Sequence, residues 1–210
     1  MKDAEFARVL RDEYPTAYRL SRALCGAKLA DRITRSVLGK SGRASARWRD
    51  ETAGADWVRH HTILECRAAM DAADPNRYAN RDPIEFRAFL KSMLALPVQQ
   101  REAFFLTRCE HLILRDVAVA MDCSNTAAQQ HLNAADAALN ALAGSDSRRI
   151  VEMLIAAYKA DVPAAASWIE HIVRAKVRRK WLGRFWKLIL FAAVAALVYM
   201  ALRAQRIWDF

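Results

Sequence analysis

The chain has 210 residues, a net charge of +10 and a sequence pI near 9.8. At 54% hydrophobic and 27% charged it excludes a disordered polyelectrolyte and can bury a core. Its excess of lysine and arginine points to a polyanionic partner, either nucleic acid or an anionic membrane surface.

Glycine (6) and proline (5) are sparse, and no stretch sustains a period-2 alternation, so an all-α fold is expected. The opening MKDAEFARVLRDEYP carries charges throughout and lacks the apolar run of a signal peptide, which places the bulk of the chain in the cytosol. The cysteines Cys25, Cys66, Cys109 and Cys123 lie far apart with no CxxC pair. They read as buried thiols. A zinc site from Cys109, His111, Cys123 and His131 is the alternative, with spacings that match no zinc module.

Residues 1–70 form a first helical block. Ala4, Phe6, Val9 and Leu10 recur at helical spacing, as do Ala17, Leu20 and Leu24. Gly39-Lys40-Ser41-Gly42 and Ala53-Gly54-Ala55 are expected to interrupt it. A third helix then runs from Trp57, with Trp57, Ile63-Leu64 and Ala68 as its buried stripe. Residues 71–83, with two prolines, two asparagines and three aspartates, read as a linker.

Residues 84–144 form a second block. Ile84-EFRAFLKSMLAL is amphipathic and should stop before Pro97. Val98-QQREAFFLTRC is the next helix, and Arg115-DVAVAM is a short one. Ser124 is placed to cap the last helix, and Gly144-Ser145-Asp146 to close it. Residues 145–180 read as a helical basic stalk, broken near Pro163.

Residues 181–206 read as a transmembrane helix with its flanks. Leu188 to Leu202, including Phe191 and Ala195, is unbroken apolar sequence. Between Arg184 and Arg203 the only charge is Lys187, so the span approaches the 18–20 or so residues a bilayer needs. Trp181, Trp186 and Trp208 flank it as an aromatic belt would. Seven basic residues from Arg174 to Lys187 precede it, and Arg203 and Arg206 follow, which orients the N-terminal side to the cytoplasm and its basic run to lipid headgroups. A buried C-terminal helix is the other reading.

The segment from Val117 to Leu139 has the pattern of a helix-turn-helix. Val117, Ala118 and Met121 give the first helix an apolar face. After Asp122-Cys123-Ser124, residues Ala128, Leu132, Ala135 and Leu139 recur at i, i+4, i+7 and i+11 and should pack inward. Ser124, Asn125, Thr126, Gln129, Gln130, His131 and Asn133 then form the polar side of the first turns. That part of the second helix contacts base edges in this motif, and Asn and Gln form bidentate bonds with adenine. From Arg115 to Ser145 the charges are Arg115 against Asp116, Asp122 and Asp136, a net of −2. Phosphate gripping must therefore come from elsewhere, such as Arg101, Arg108 and Arg115 or the first block.

In that block, Arg43, Arg47, Arg49 and Arg59 interleave with Trp48 and Trp57. Single-strand binding uses such a cluster, and a solvated arginine face over two core tryptophans has the same pattern. His60-His61 point in different directions on a helix and lack a ligand-spaced carboxylate. No nucleophile elbow, phosphate loop or dinucleotide fingerprint is present, so neither an enzyme nor a cofactor is implied.

Leu96-Pro97, Gln100-Arg101-Glu102, Phe104-Phe105-Leu106, Glu110, Val117-Ala118 and Met121-Asp122-Cys123-Ser124 make the second block resemble region 4 of the extracytoplasmic-function sigma factors of bacterial RNA polymerase. Tyr18-RLSRALCGAKLADRI and Trp57-VRHHTILECR are similar to region 2. The resemblance covers residues 5–142 and implies a region-2-like three-helix domain and a region-4-like domain. It implies RNA polymerase core and promoter DNA as partners and an anti-sigma factor as a further one, while membrane lipids follow from the apolar C-terminal run and its basic flank. Residues Arg115, Ser124, Asn125, Thr126, Gln129, Gln130, His131 and Asn133, with Arg47, Trp48, Trp57 and Arg59, would contact DNA. Asp31, Arg32 and Arg35 occupy the polymerase-binding segment, where the family carries more acid. The other reading is a sigma fold serving as a membrane-anchored interaction adaptor.

Overall fold

The computed structural model describes residues 2–69, 93–143, 147–160 and 167–208. The described residues are helical, and none is in a strand. The expected linker 71–83, the break at Pro163 and the closing Gly144-Ser145-Asp146 lie outside them.

Helix α1, Asp3–Cys25, buries Phe6, Leu10, Leu20 and Leu24. Its start is fixed by Glu5, whose carboxylate accepts the Lys2 backbone N–H at 2.8 Å. Gly26 ends it at φ 90°, a conformation side chains rarely adopt, and the chain reverses at once into α2, Ala27–Ala44. A 3₁₀ turn at Ser45–Arg47 leads to α3, Glu51–Ala68, which Asp50 caps by accepting the Ala53 N–H at 2.8 Å. Ile33, Val37, Leu38, Val58 and Ile63 complete this three-helix core.

Neither expected interruption occurs, because α2 runs through residues 39–42 and α3 contains residues 53–55. At Gly54 the reason is packing. A Cβ there would lie 2.8 Å from Cε3 of Trp48, so the glycine admits an indole rather than breaking a helix. The buried face of α3 is Gly54, Val58, Thr62, Ile63 and Cys66, while Leu64 and Ala68 are exposed. The face is rotated from the expected stripe because α3 packs on α1 and α2 and also on the second block.

The second block holds α4, Val98–Phe104, a π turn at Phe105–Cys109, α5, Leu114–Met121, and α6, Asn125–Ala143. It shares one core with the first block. Arg67 on α3 reaches the wholly buried Glu102 on α4 with two hydrogen bonds, at 2.9 and 2.6 Å. Glu110, after the π turn, accepts from Thr16 at 2.9 Å, from Arg19 at 2.9 and 3.1 Å, and from Tyr158 at 2.7 Å. Tyr158 belongs to α7, Ser147–Ala160, and stacks on Phe105. Two helices and the end of the π turn thus meet on one carboxylate.

The last helix, α8, spans Ser167–Trp208, 42 residues, or about 63 Å at 1.5 Å per residue. Its first turns lie along α1 and α2. Trp168 meets Tyr14 edge-on at 5.4 Å and takes the Arg35 guanidinium over its ring at 5.4 Å. Glu170 accepts from Arg11 at 2.6 Å. Lys176 is buried, 3.7 Å from Asp3 and over the Phe6 ring. That lysine serves the fold and is withdrawn from the basic run expected to face lipid.

Beyond Arg179 the described side chains of the helix, as far as Met200, are all exposed. Trp181, Trp186, Leu188, Leu190, Phe191, Val194, Leu197 and Met200 are exposed on every side. Ala195 is exposed, and the side chains of Leu202 and Trp208 lie outside the described residues. Among the described residues, no helix is long and apolar enough to cross a membrane.

Candidate nucleic-acid interface

The geometry of the helix-turn-helix follows from its turn. Helix α5 ends where Asp122 takes a left-handed conformation, φ 55°, ψ 54°. That bend lets Cys123 N–H return to the Ala118 carbonyl at 3.0 Å, closing the free end of the helix. Ser124 then starts α6, its hydroxyl accepting the Ala127 N–H at 3.1 Å. Val117, Ala118 and Met121 of α5 are buried, as are Ala128, Leu132, Ala135 and Leu139 of α6.

The opposite face of α6 is open. Ser124, Asn125, Thr126, Gln129, Gln130 and Asn133 are exposed, and His131 is half-buried. Gln129 donates to Asn133 at 2.7 Å one turn on, so their amides form a prearranged pair. Gln130, Asn125 and Thr126 present donors and acceptors beside them. The face offers amide hydrogen bonding and no positive side chain.

The arginines near it are committed to the protein. Arg108 forms a 2.5 Å ion pair with Asp136 of α6, and that carboxylate raises the Arg108 pKa. Arg101 is buried and unavailable to phosphate. Arg115 is exposed at the start of α5 and bonds the adjacent Asp116 at 3.1 Å.

In the first block the Arg–Trp cluster divides. Trp48 is 5% exposed, packed between Phe6 and Trp57 at 5.9 and 5.6 Å, and so is no stacking platform. Arg59 is turned inward and holds the buried Glu13 with bonds of 2.9 and 2.5 Å. Burial raises the Glu13 pKa, and Arg59 opposes that rise. Trp57 stays half-buried, stacked on His61 at 3.8 Å, and Arg47 and Arg49 are exposed. Sequence could not separate these residues, because the partners of Arg59 and Trp48 lie some 40 residues upstream.

Trp57 and His61 form one wall of a cleft of about 670 Å³ that α2 and α8 complete. Its cations are Arg35, Lys40, Arg43, Arg47 and Arg179. Sequence reasoning missed this site, since Arg179 is 132 residues from Arg47, although the 35, 39/40, 43/44, 47 spacing on one helix face was visible. Asp31 and Arg32 of the polymerase-binding expectation are exposed on α2. Arg35 pairs with Asp31 at 2.9 Å and is partly covered by Trp168.

Cys25 and Cys66 lie together, apart from the Cys109, His111, Cys123 and His131 set that a zinc site would use. Cys25 donates to the Cys66 carbonyl at 3.4 Å, and burial pushes Cys109 up to about 12. Among the described residues, no group of three or more His, Cys, Asp or Glu is arranged to hold a metal ion. No protein-family model, curated protein or solved structure matches the chain.

Proposed function

We propose that this chain is a sigma-factor-like transcription protein anchored in a membrane by α8. The observation that carries the reading is the open Asn/Gln face on the first turns of α6, behind a capped turn whose apolar side is fully buried. Amides at these positions pair with adenine edges in the major groove. The fold requires none of them for its own packing. In this reading the protein directs RNA polymerase core to a subset of promoters, with Asp31 and Arg32 on α2 presented to polymerase.

The anchor reading rests on the uncovered apolar turns of α8. A helix that is apolar all round either sits in a protein core or spans lipid, and residues 188–197 have no core around them. Trp181, Trp186 and Lys187 at its near end suit an interface, with the helical blocks on the cytoplasmic side.

A second reading, a membrane-anchored interaction adaptor, is favoured by one observation. Helix α6 carries no lysine or arginine, and the nearby Arg108 is neutralised by Asp136. Most nonspecific DNA affinity comes from phosphate neutralisation, which this face does not supply.

The deciding experiment uses the full chain in detergent, with core RNA polymerase pull-down followed by transcription from a promoter library. Binding with defined start sites supports the sigma reading. Failure to bind core at low salt rules out initiation and leaves the adaptor.

A further inference from the structure

The cleft between α2, α3 and α8 has a composition the fold itself does not need. Arg35, Lys40, Arg43 and Arg47 follow one face of α2 and its 3₁₀ turn over about 18 Å, at 1.5 Å per residue. Arg179 faces them from α8, and no lining residue is acidic. Lys40 and Arg35 have partners outside the cleft, in Glu65 and Asp31. Arg43, Arg47 and Arg179 have no ion-pair or hydrogen-bond partner among the described residues.

Gly39 lies in this lining, mid-helix, where glycine destabilises by about 1 kcal/mol relative to alanine. A Cβ at Gly39 would meet nothing within 4 Å. Packing among the described residues gives no reason for the glycine, which leaves this part of the cleft lining without a side chain.

The ligand is an anion rather than a stacked base. Trp57 is already stacked on His61 at 3.8 Å, and the Trp48 ring lies tilted against it at 5.6 Å. The orientation of α8 identifies the source. Trp168 meets Arg35, Ile172 lies against Gly42, and Arg179 joins the cleft, so α8 runs in the same direction as α2. The basic C-terminal end of α2 therefore points toward the side where the apolar helix leaves. Arg179 precedes Leu188 by nine residues, about 14 Å of helix. Headgroup layers are roughly 5–8 Å deep, and arginine stems extend along that distance.

We propose that the cleft binds the phosphate of an anionic phospholipid headgroup and docks the three-helix block on the membrane surface. Arg43, Arg47 and Arg179 would donate to the phosphate oxygens, with Gly39 clearing the floor. This rests on the anchored reading of α8.

The test is hydrogen exchange on the full chain in nanodiscs, made from phosphatidylcholine alone or mixed with phosphatidylglycerol. Residues 35–47 should exchange about tenfold more slowly in the mixed discs, the protection expected near ten times Kd. Protection should vanish in Arg43→Glu/Arg47→Glu and in Gly39→Trp, and persist in Gly39→Ala and Arg149→Glu. Equal exchange in both discs, or protection surviving Arg43→Glu/Arg47→Glu, overturns the headgroup site while leaving the anchor intact. Protection by inorganic phosphate or a single-stranded oligonucleotide in phosphatidylcholine discs, without any from phosphatidylglycerol, overturns the lipid assignment. A chain that enters neither disc overturns the anchor and the headgroup site together.

Discussion

Arg67 and Glu102 join the two helical blocks through a carboxylate with no solvent exposure, and the same guanidinium donates at 3.1 Å to the Met121 carbonyl at the end of α5. The first helix of the helix-turn-helix is thereby tied to α3. Removing one partner of a buried pair costs about 3–5 kcal/mol, because the other charge is left unpaired in a low-dielectric site. Arg67→Ala should lose about that much in chemical denaturation of the full chain in detergent. The double variant Arg67→Met/Glu102→Leu should recover most of it. A single-variant loss below about 1 kcal/mol would mean the junction opens readily to water.

The pH dependence of that variant has a definite sign. Burial raises the Glu102 pKa above the ordinary carboxylate value even with Arg67 opposing it. Without Arg67 the rise is larger. A carboxyl raised in the folded state supports folding fully below its unfolded pKa, and that support is lost as pH rises through the folded pKa. The defect of Arg67→Ala relative to the parent chain should therefore be small near pH 4 and grow toward pH 7. A defect independent of pH would show that Glu102 is not the group left stranded.

Two helical glycines should respond oppositely to alanine. At Gly54 a Cβ would meet Trp48 at 2.8 and 3.1 Å and Val9 at 3.1 Å, so overpacking of about 1–3 kcal/mol exceeds the gain in helix propensity. At Gly39 the space is open, and alanine should stabilise by about 0.5–1 kcal/mol. Thermal melts of the two variants decide it. A stabilised Gly54→Ala would mean that the Trp48 indole is free to move aside.

What could be read from sequence was local. The inward repeat of Ala128, Leu132, Ala135 and Leu139 is buried, and Ser124 caps α6, because spacing and capping depend on neighbours within a turn. What could not be read depends on distant partners. Gly54 resembles a helix breaker until Trp48 is beneath it. Arg59 reads as a phosphate ligand until Glu13 takes it, and Lys176 reads as a lipid anchor until Asp3 and Phe6 enclose it. Charge composition counts such residues as surface, while tertiary packing moves them inside.

The thiols offer a separate check on packing. Cys25, Cys66 and Cys109 are buried, and Cys123 is half-exposed. Burial pushes Cys109 to about 12, and the hydrogen bond with the Cys25 side chain together with burial pushes Cys66 well upward, so neither forms thiolate at pH 8. Cys123 is raised as well, again chiefly by burial, and should react slowly. An aromatic disulfide reagent should titrate one thiol in the native chain and four after denaturation. More than one fast thiol in the native chain would show that one of the buried cysteines is accessible.

The uncharged face of α6 makes a prediction about salt. Each phosphate neutralised adds about −0.9 to the slope of log affinity against log salt concentration. With Arg101 buried and Arg108 held by Asp136, Arg115 is left as the exposed arginine of the helix-turn-helix itself. DNA binding through α6 should therefore show a shallow slope, of order −1 to −2. Gln130→Ala should weaken a preferred site by about 1–3 kcal/mol, as loss of one base contact does, and leave the slope unchanged. Anisotropy titrations across a salt series on the full chain in detergent measure both quantities. A steep slope unaffected by Gln130→Ala would place the DNA on another surface and leave the helix-turn-helix as a protein-binding module.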